Sequence, residues 1–208
     1  VGSTFIDTPA GAADPEDERA IAPPWESATM AQTSALYDFD ISLSHVDRGL
    51  EHALHLKVPR HPSETMERLC LRVVAFCWQW EERLSFGPGL SDPDAPDLLS
   101  TDLTGRVTLW IRVGKADPGK LQRLADQQPD ARMIVLFESA LRREQFAAAA
   151  QAERLTRLGR VELATAPAGV IAHLARDDRR RRKLGLTIVE DHLYLELDGE
   201  TVAGAIER

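Results

Sequence analysis

Only two cysteines occur in the 208 residues, Cys70 and Cys77. They stand seven apart in a helix-like segment, so their rise along the axis differs by ~10 Å. A disulfide needs Cα atoms within ~7 Å, which excludes a bond between them there. They read as small buried hydrophobes. No uninterrupted apolar run approaches the ~20 residues of a membrane-spanning helix, and no membrane partner is expected. Positive charge is short as well. Lys and Arg number 25 against 33 Asp and Glu, a net charge of −8. That is the wrong sign for a chain that binds nucleic acid through its overall field. There is no Walker-type phosphate loop, no serine nucleophile elbow and no repeat of fixed period. Hydrophobic residues at 43% and charged residues at 28% are ordinary globular values. The chain is long enough to build a core without a disulfide or metal staple.

The acids are concentrated at the start. Residues 1–29 hold Asp7, Asp14, Glu16, Asp17, Glu18 and Glu26 against Arg19 alone. Without apolar periodicity, this segment reads as a disordered acidic tail, because such composition cannot offset ordering entropy. It lacks the basic start and 7–15-residue apolar stretch of a secretory signal, so the cytosol is the expected location. The chain opens on Val1 and its first methionine is Met30, which suggests an over-extended reading frame or a leader. One domain is expected over residues 30–208, acting as a monomer.

Residues 36–43 and 50–58 alternate apolar and polar and read as an antiparallel hairpin closed by Pro59 and Pro62. Ser63 is placed to cap a helix from about Glu64 to about Glu82, with Met66, Leu69, Cys70, Val73, Val74 and Cys77 on its apolar stripe. Phe76, Trp78 and Trp80 widen that stripe, so more than one neighbour should cover it. Short strands are expected at 84–86 and 98–99. A firm one runs from Arg106 to Val113, with Thr108, Trp110 and Arg112 on one face. Asp117-Pro118 starts a short helix. Met133–Phe137 reads as a strand buried on both faces. Helices at 141–158 and 167–175, a strand at 161–163 and a closing hairpin at 184–189 and 193–197 complete the order. The fold class is α/β, a mixed sheet with helices on its faces and flanking β-hairpins.

Few constellations carry chemistry. His45, His52, His55 and His61 are close in sequence, but strand periodicity sends His52 and His55 to opposite faces. Arg176, Arg179, Arg180, Arg181, Arg182 and Lys183 form a basic run, a candidate nucleic-acid contact diluted by Asp177 and Asp178. Lying between a helix and a strand, it is more simply explained as a solvated connector. Pro96-Asp97, across a turn from strand 106–113, is how metal-dependent nucleases open a carboxylate pair around Mg²⁺. Pro-Asp is also common in plain turns.

Taken together, the segments resemble the YaeQ family of small bacterial proteins. The resemblance rests on Arg60-His61-Pro62-Ser63-Glu64-Thr65, Glu67-Arg68, Arg72, Ala75-Phe76, Glu82-Arg83-Leu84, Gly89-Leu90-Ser91, Pro96-Asp97-Leu98, Gly105, Leu109-Trp110-Ile111 and Gly114. It implies a variant of the PD-(D/E)XK nuclease fold, in which a helix glutamate, a strand aspartate, a second strand acid and a lysine surround a metal. By matching motif, Glu64 or Glu67 is the helix acid and Asp97 the strand acid, so that Asp97 and Glu64 would hold the metal. Arg112 stands where the second acid is usual, and Gly114 where the lysine falls, with Lys115 one place off. Arg123 replaces the lysine usual on the short helix. The implied catalytic set is thus Asp97, Glu64, Glu67 and Lys115, with Arg112 facing Asp97. The family has no settled activity. Two readings follow: a degenerate site in a binding or regulatory protein needing no cofactor, or a nuclease using Mg²⁺ or Mn²⁺. The expected partner is a nucleic acid or a protein. A purely structural role is open too, with Glu64 and Arg68 pairing at i, i+4 and Arg112 pairing with Asp97.

Overall fold

A computed structural model describes residues 34–208 apart from 93 and 157; the expected acidic tail lies outside the described residues. The chain is α/β, and its strands divide into two five-stranded sheets rather than one. The elements are β1 (Ala35–His45), β2 (Leu50–Arg60), α1 (Met66–Trp78), β3 (Ser85–Phe86), β4 (Leu98–Thr101), β5 (Val107–Val113), α2 (Pro118–Gln127), β6 (Arg132–Phe137), α3 (Ala140–Ala152), β7 (Val161–Thr165), α4 (Ala168–Leu174), β8 (Arg181–Val189), β9 (His192–Leu197) and β10 (Glu200–Ala205). Their order is the one read from the sequence, with β10 added at the end. The first sheet runs β10-β9-β8-β1-β2 and the second β3-β4-β5-β6-β7. Hairpins make most neighbours antiparallel, but β1 pairs with β8 in parallel, and β5, β6 and β7 are parallel. Pro59 lies within β2 rather than ending it. The strand tolerates it because β2 is an edge, where a missing N–H costs no ladder bond.

Two cores result. The larger joins Phe39, Ile41 and Leu186 of the first sheet to Leu98, Ile111 and Ile134 of the second through α1 and α4. The smaller packs Trp110, Val135 and Phe137, on the other side of the second sheet, against α2 and α3. β6 is therefore covered on both faces, as its continuous apolar run requires. Eleven of the thirteen residues of α1 are buried, so this helix is enclosed rather than amphipathic. It is shorter than expected: Thr65, not Ser63, is the cap, accepting the Arg68 N–H at 3.2 Å, and the helix ends at Trp78. Glu64 consequently precedes the helix. α2 starts as read, with Asp117 accepting the Lys120 N–H at 2.8 Å and Pro118 in the first turn. Cys70 and Cys77 are free and buried. Among the described residues no helix is long and apolar enough to cross a membrane.

Candidate functional site

The motif Arg60–Thr65 is a tight connector from β2 into α1. Arg60 Nε donates to the Glu64 carbonyl at 2.8 Å and its guanidinium to the Tyr37 hydroxyl at 3.1 Å. The Glu64 N–H donates to the His61 carbonyl at 2.8 Å, and Ser63 bonds the His61 ring. These bonds turn the Glu64 side chain inward, where it is 1% exposed.

Asp97 is set by a second device. Its N–H donates to the Ile111 carbonyl at 2.9 Å, and its carbonyl accepts from Gly87 at 2.9 Å. Gly87 is required here, since a Cβ would sit 2.1 Å from the Pro96 carbonyl oxygen. The Asp97 carboxylate, fully buried, accepts the Val113 N–H at 2.8 Å.

Arg68 joins the two acids. One of its terminal nitrogens reaches Glu64 at 2.5 Å and the other Asp97 at 2.6 Å. Arg72, 1% exposed, approaches Glu64 at 3.2 Å and Asp97 at 3.8 Å, and donates to the Pro59 carbonyl at 3.1 Å. Arg112 stands 3.8 Å from Asp97 and donates to the Ala95 carbonyl at 2.7 Å. Two buried carboxylates thus meet three guanidiniums. The i, i+4 pairing of Glu64 with Arg68 and the approach of Arg112 to Asp97 are as the sequence suggested. Arg72, named there only among the residues of the resemblance and given no role, has its signal in its place four residues beyond Arg68, on the same helix face.

Glu67, by contrast, is exposed on α1, and no ion pair ties it to this centre among the described residues. Lys115 is also exposed, just past the end of β5. It lines a cleft of about 700 Å³ that opens between β5 and α2, together with Arg68, Arg112, Lys120 and Arg123. Asp94 borders the same cleft and pairs with Lys120. That bond, helped by Arg112 and Arg123, holds the Asp94 carboxyl below the usual carboxylate range.

The basic run lies elsewhere and is largely engaged. Arg176, Arg179 and Arg180 lie in the exposed connector between α4 and β8, as that reading had it, whereas Arg181, Arg182 and Lys183 belong to β8. Arg182 is 2% exposed and donates to the Leu174 carbonyl at 2.8 Å, so it is withdrawn from any surface phosphate. Arg179 and Arg176 bind Asp198, and these hydrogen bonds pull its carboxyl down to about 2. Arg179 also pairs with Asp177, and Arg181 approaches Asp38. Arg180 and Lys183 are exposed. The His52 ring lies tilted against Trp80, centroids 3.9 Å apart, His55 bonds Asp40 at 2.5 Å, and no metal-holding group of three or more His, Cys, Asp or Glu exists among the described residues.

Comparison with known proteins agrees along most of the chain. The YaeQ protein family matches residues 30–206. The uncharacterized YaeQ protein of Salmonella typhi is 35% identical over 109 residues, covering 52% of this chain and 58% of that protein. Its counterpart in Escherichia coli K12 is 33% identical over the same shares. The match therefore spans little more than half the length of these curated relatives. The crystal structure of the YaeQ protein from Pseudomonas syringae superimposes with a TM-score of 0.75 at 31% identity, covering 85% of this chain and 96% of that one. That from Xanthomonas axonopodis pv. citri gives 0.74 at 27% identity, covering 84% and 97%. The chain belongs to the YaeQ family.

Proposed function

We propose that this chain is a non-catalytic binding protein on a variant of the PD-(D/E)XK nuclease fold, its acidic centre locked by arginines and its cleft open to an anion. The observation that carries this reading is Arg68, whose guanidinium lies between Glu64 and Asp97 within 2.6 Å of each. The donor set does not suit Mg²⁺ or Mn²⁺. A hard divalent cation wants several free oxygens, and both carboxylates already serve guanidiniums. A divalent ion ~5 Å from one guanidinium is repelled by about 7 kcal/mol at an effective dielectric of about 20. That exceeds the roughly 4 kcal/mol of a millimolar site.

Calorimetric Mn²⁺ titration, paired with cleavage assays on single- and double-stranded DNA and RNA, tests the reading. Wild type should take up no Mn²⁺ below millimolar concentration and cut nothing. Arg112→Glu alone should gain little, because Arg68 still occupies the acids. Arg68→Gln with Arg112→Glu should bind Mn²⁺, and adding Asp97→Asn should abolish the gain. Tight Mn²⁺ binding or metal-dependent cleavage by wild type overturns the proposal in favour of a nuclease that recruits Lys115.

A further inference from the structure

The cleft above the locked centre has two chemically different parts. Its floor is apolar: Trp110 on β5 and Leu121 on α2 are buried, with Leu90 and Leu124 partly buried beside them. Its rim is cationic, formed by Arg112, Lys115, Lys120 and Arg123. The two lining acids are already engaged. Asp117 caps α2, and Asp94 pairs with Lys120. A further acid, Glu153, stands beside Gly119 near Arg123, and the balance stays positive. Lys115 and Arg123 are exposed and close no ion pair among the described residues.

The position is one where α/β proteins bind ligands. β5 and β6 are parallel, α2 is the crossover between them, and the cleft lies just outside the carboxyl end of β5. A volume of about 700 Å³ is that of a small-ligand site. Inorganic phosphate would satisfy the rim and leave the floor wet. An uncharged ring would cover the floor and leave the cations unpaired. One molecule that meets both is a dianionic phosphate ester on a flat apolar body, since guanidinium and ammonium groups bind phosphate strongly and aromatic faces take ring systems.

We propose that this cleft binds a phosphomonoester carried on a flat ring system, of about the size of a mononucleotide. Its phosphate lies among Arg112, Lys115, Lys120 and Arg123, and its ring lies on Trp110, Leu121 and Leu124. This rests on the anion-binding reading above and names the ligand class for the same site.

Calorimetry in low salt with a chelator present, using AMP, phenyl phosphate, adenosine and inorganic phosphate, tests it. At least one of the two monoesters should bind tenfold or more tightly than inorganic phosphate, and adenosine should bind no better than inorganic phosphate. Lys115→Ala with Arg123→Ala changes only exposed side chains, so melting should be unchanged while monoester affinity falls at least tenfold. Leu124→Gln should bring the monoester down toward inorganic phosphate. A 5′-phosphorylated oligonucleotide compared with its unphosphorylated form tells a nucleic-acid end from a free nucleotide as the source. Monoesters that bind no tighter than phosphate, or an unaffected double variant of normal melting temperature, overturn the proposal. A Mn²⁺ titration of the same preparation separates the two failures: inert metal with no ester binding removes only the ligand class, whereas Mn²⁺ uptake removes the reading beneath it.

Discussion

Arg68→Met removes the guanidinium that holds Glu64 and Asp97 together while keeping the aliphatic stem in place. Both carboxylates are then left at no more than 1% exposure with one cation fewer. Breaking a buried ion pair by deleting one partner costs about 3–5 kcal/mol, mostly from the stranded charge. The low end, about 3 kcal/mol, applies here. Arg72 still reaches Glu64 at 3.2 Å, and the Val113 N–H still serves Asp97. For a chain of this size that corresponds to a melting point lower by ~6–12 °C. Urea unfolding of Arg68→Met, Asp97→Asn and the double variant measures it. Because the two groups touch, the double variant should be less destabilised than the sum by about 1 kcal/mol or more. A strictly additive cycle, or a single variant within about 0.5 kcal/mol of wild type, refutes the view that these arginines neutralise the centre.

Three further outcomes follow from the packing. Val73, 1% exposed in α1, should not tolerate a charge, so Val73→Asp should lower stability by several kcal/mol in urea unfolding, ~3 or more. Gly87→Ala places a methyl against the Pro96 carbonyl and must displace the loop that aims Asp97, at about 1–3 kcal/mol by the same measurement. Burial pushes the Cys70 thiol up to about 11 and the Cys77 thiol up to about 12. Below about pH 7.5 both thiols are protonated folded or unfolded, and this contribution to stability is constant. Above it the unfolded chain ionises first, so stability should fall as pH rises toward 11 and 12. At pH 8 a thiol reagent should modify neither cysteine in the folded protein and both in urea; reaction without denaturant would show the thiols accessible.

Local signals were legible, and long-range ones were not. The element order, the Asp117-Pro118 start of α2 and the buried run of β6 follow from periodicity and capping alone. The resemblance brought Glu64, Asp97 and Arg112 to one place, and the i, i+4 spacing found Arg68. The split into two sheets rests on β1 pairing with β8, which no local pattern encodes. β10 escaped because Glu200–Ala205 is short, rich in small residues and has no buried position, so it shows no clean alternation. Arg182 was hidden inside a basic run. Its parity with Leu184, Leu186 and Ile188 is the signal that puts it on the inward face of β8. Ser63 and Thr65 are both competent caps, and only the bonds that fold Glu64 inward decide between them.

The β1–β8 ladder has a consequence for how the chain is made. Ile41 lies opposite Leu184, so the central pair of the first sheet joins strands from opposite ends of the described chain. During synthesis β1 and β2 can zip at once, but the β8 side of β1 stays unpaired until nearly all the rest has been translated. Contacts of such sequence separation form slowly, and an open apolar strand edge invites pairing with another chain. The second sheet, drawn from a continuous middle segment, has no such wait. Cotranslational folding should therefore start with the β1–β2 hairpin, go on to the middle sheet, and close last where the two ends meet.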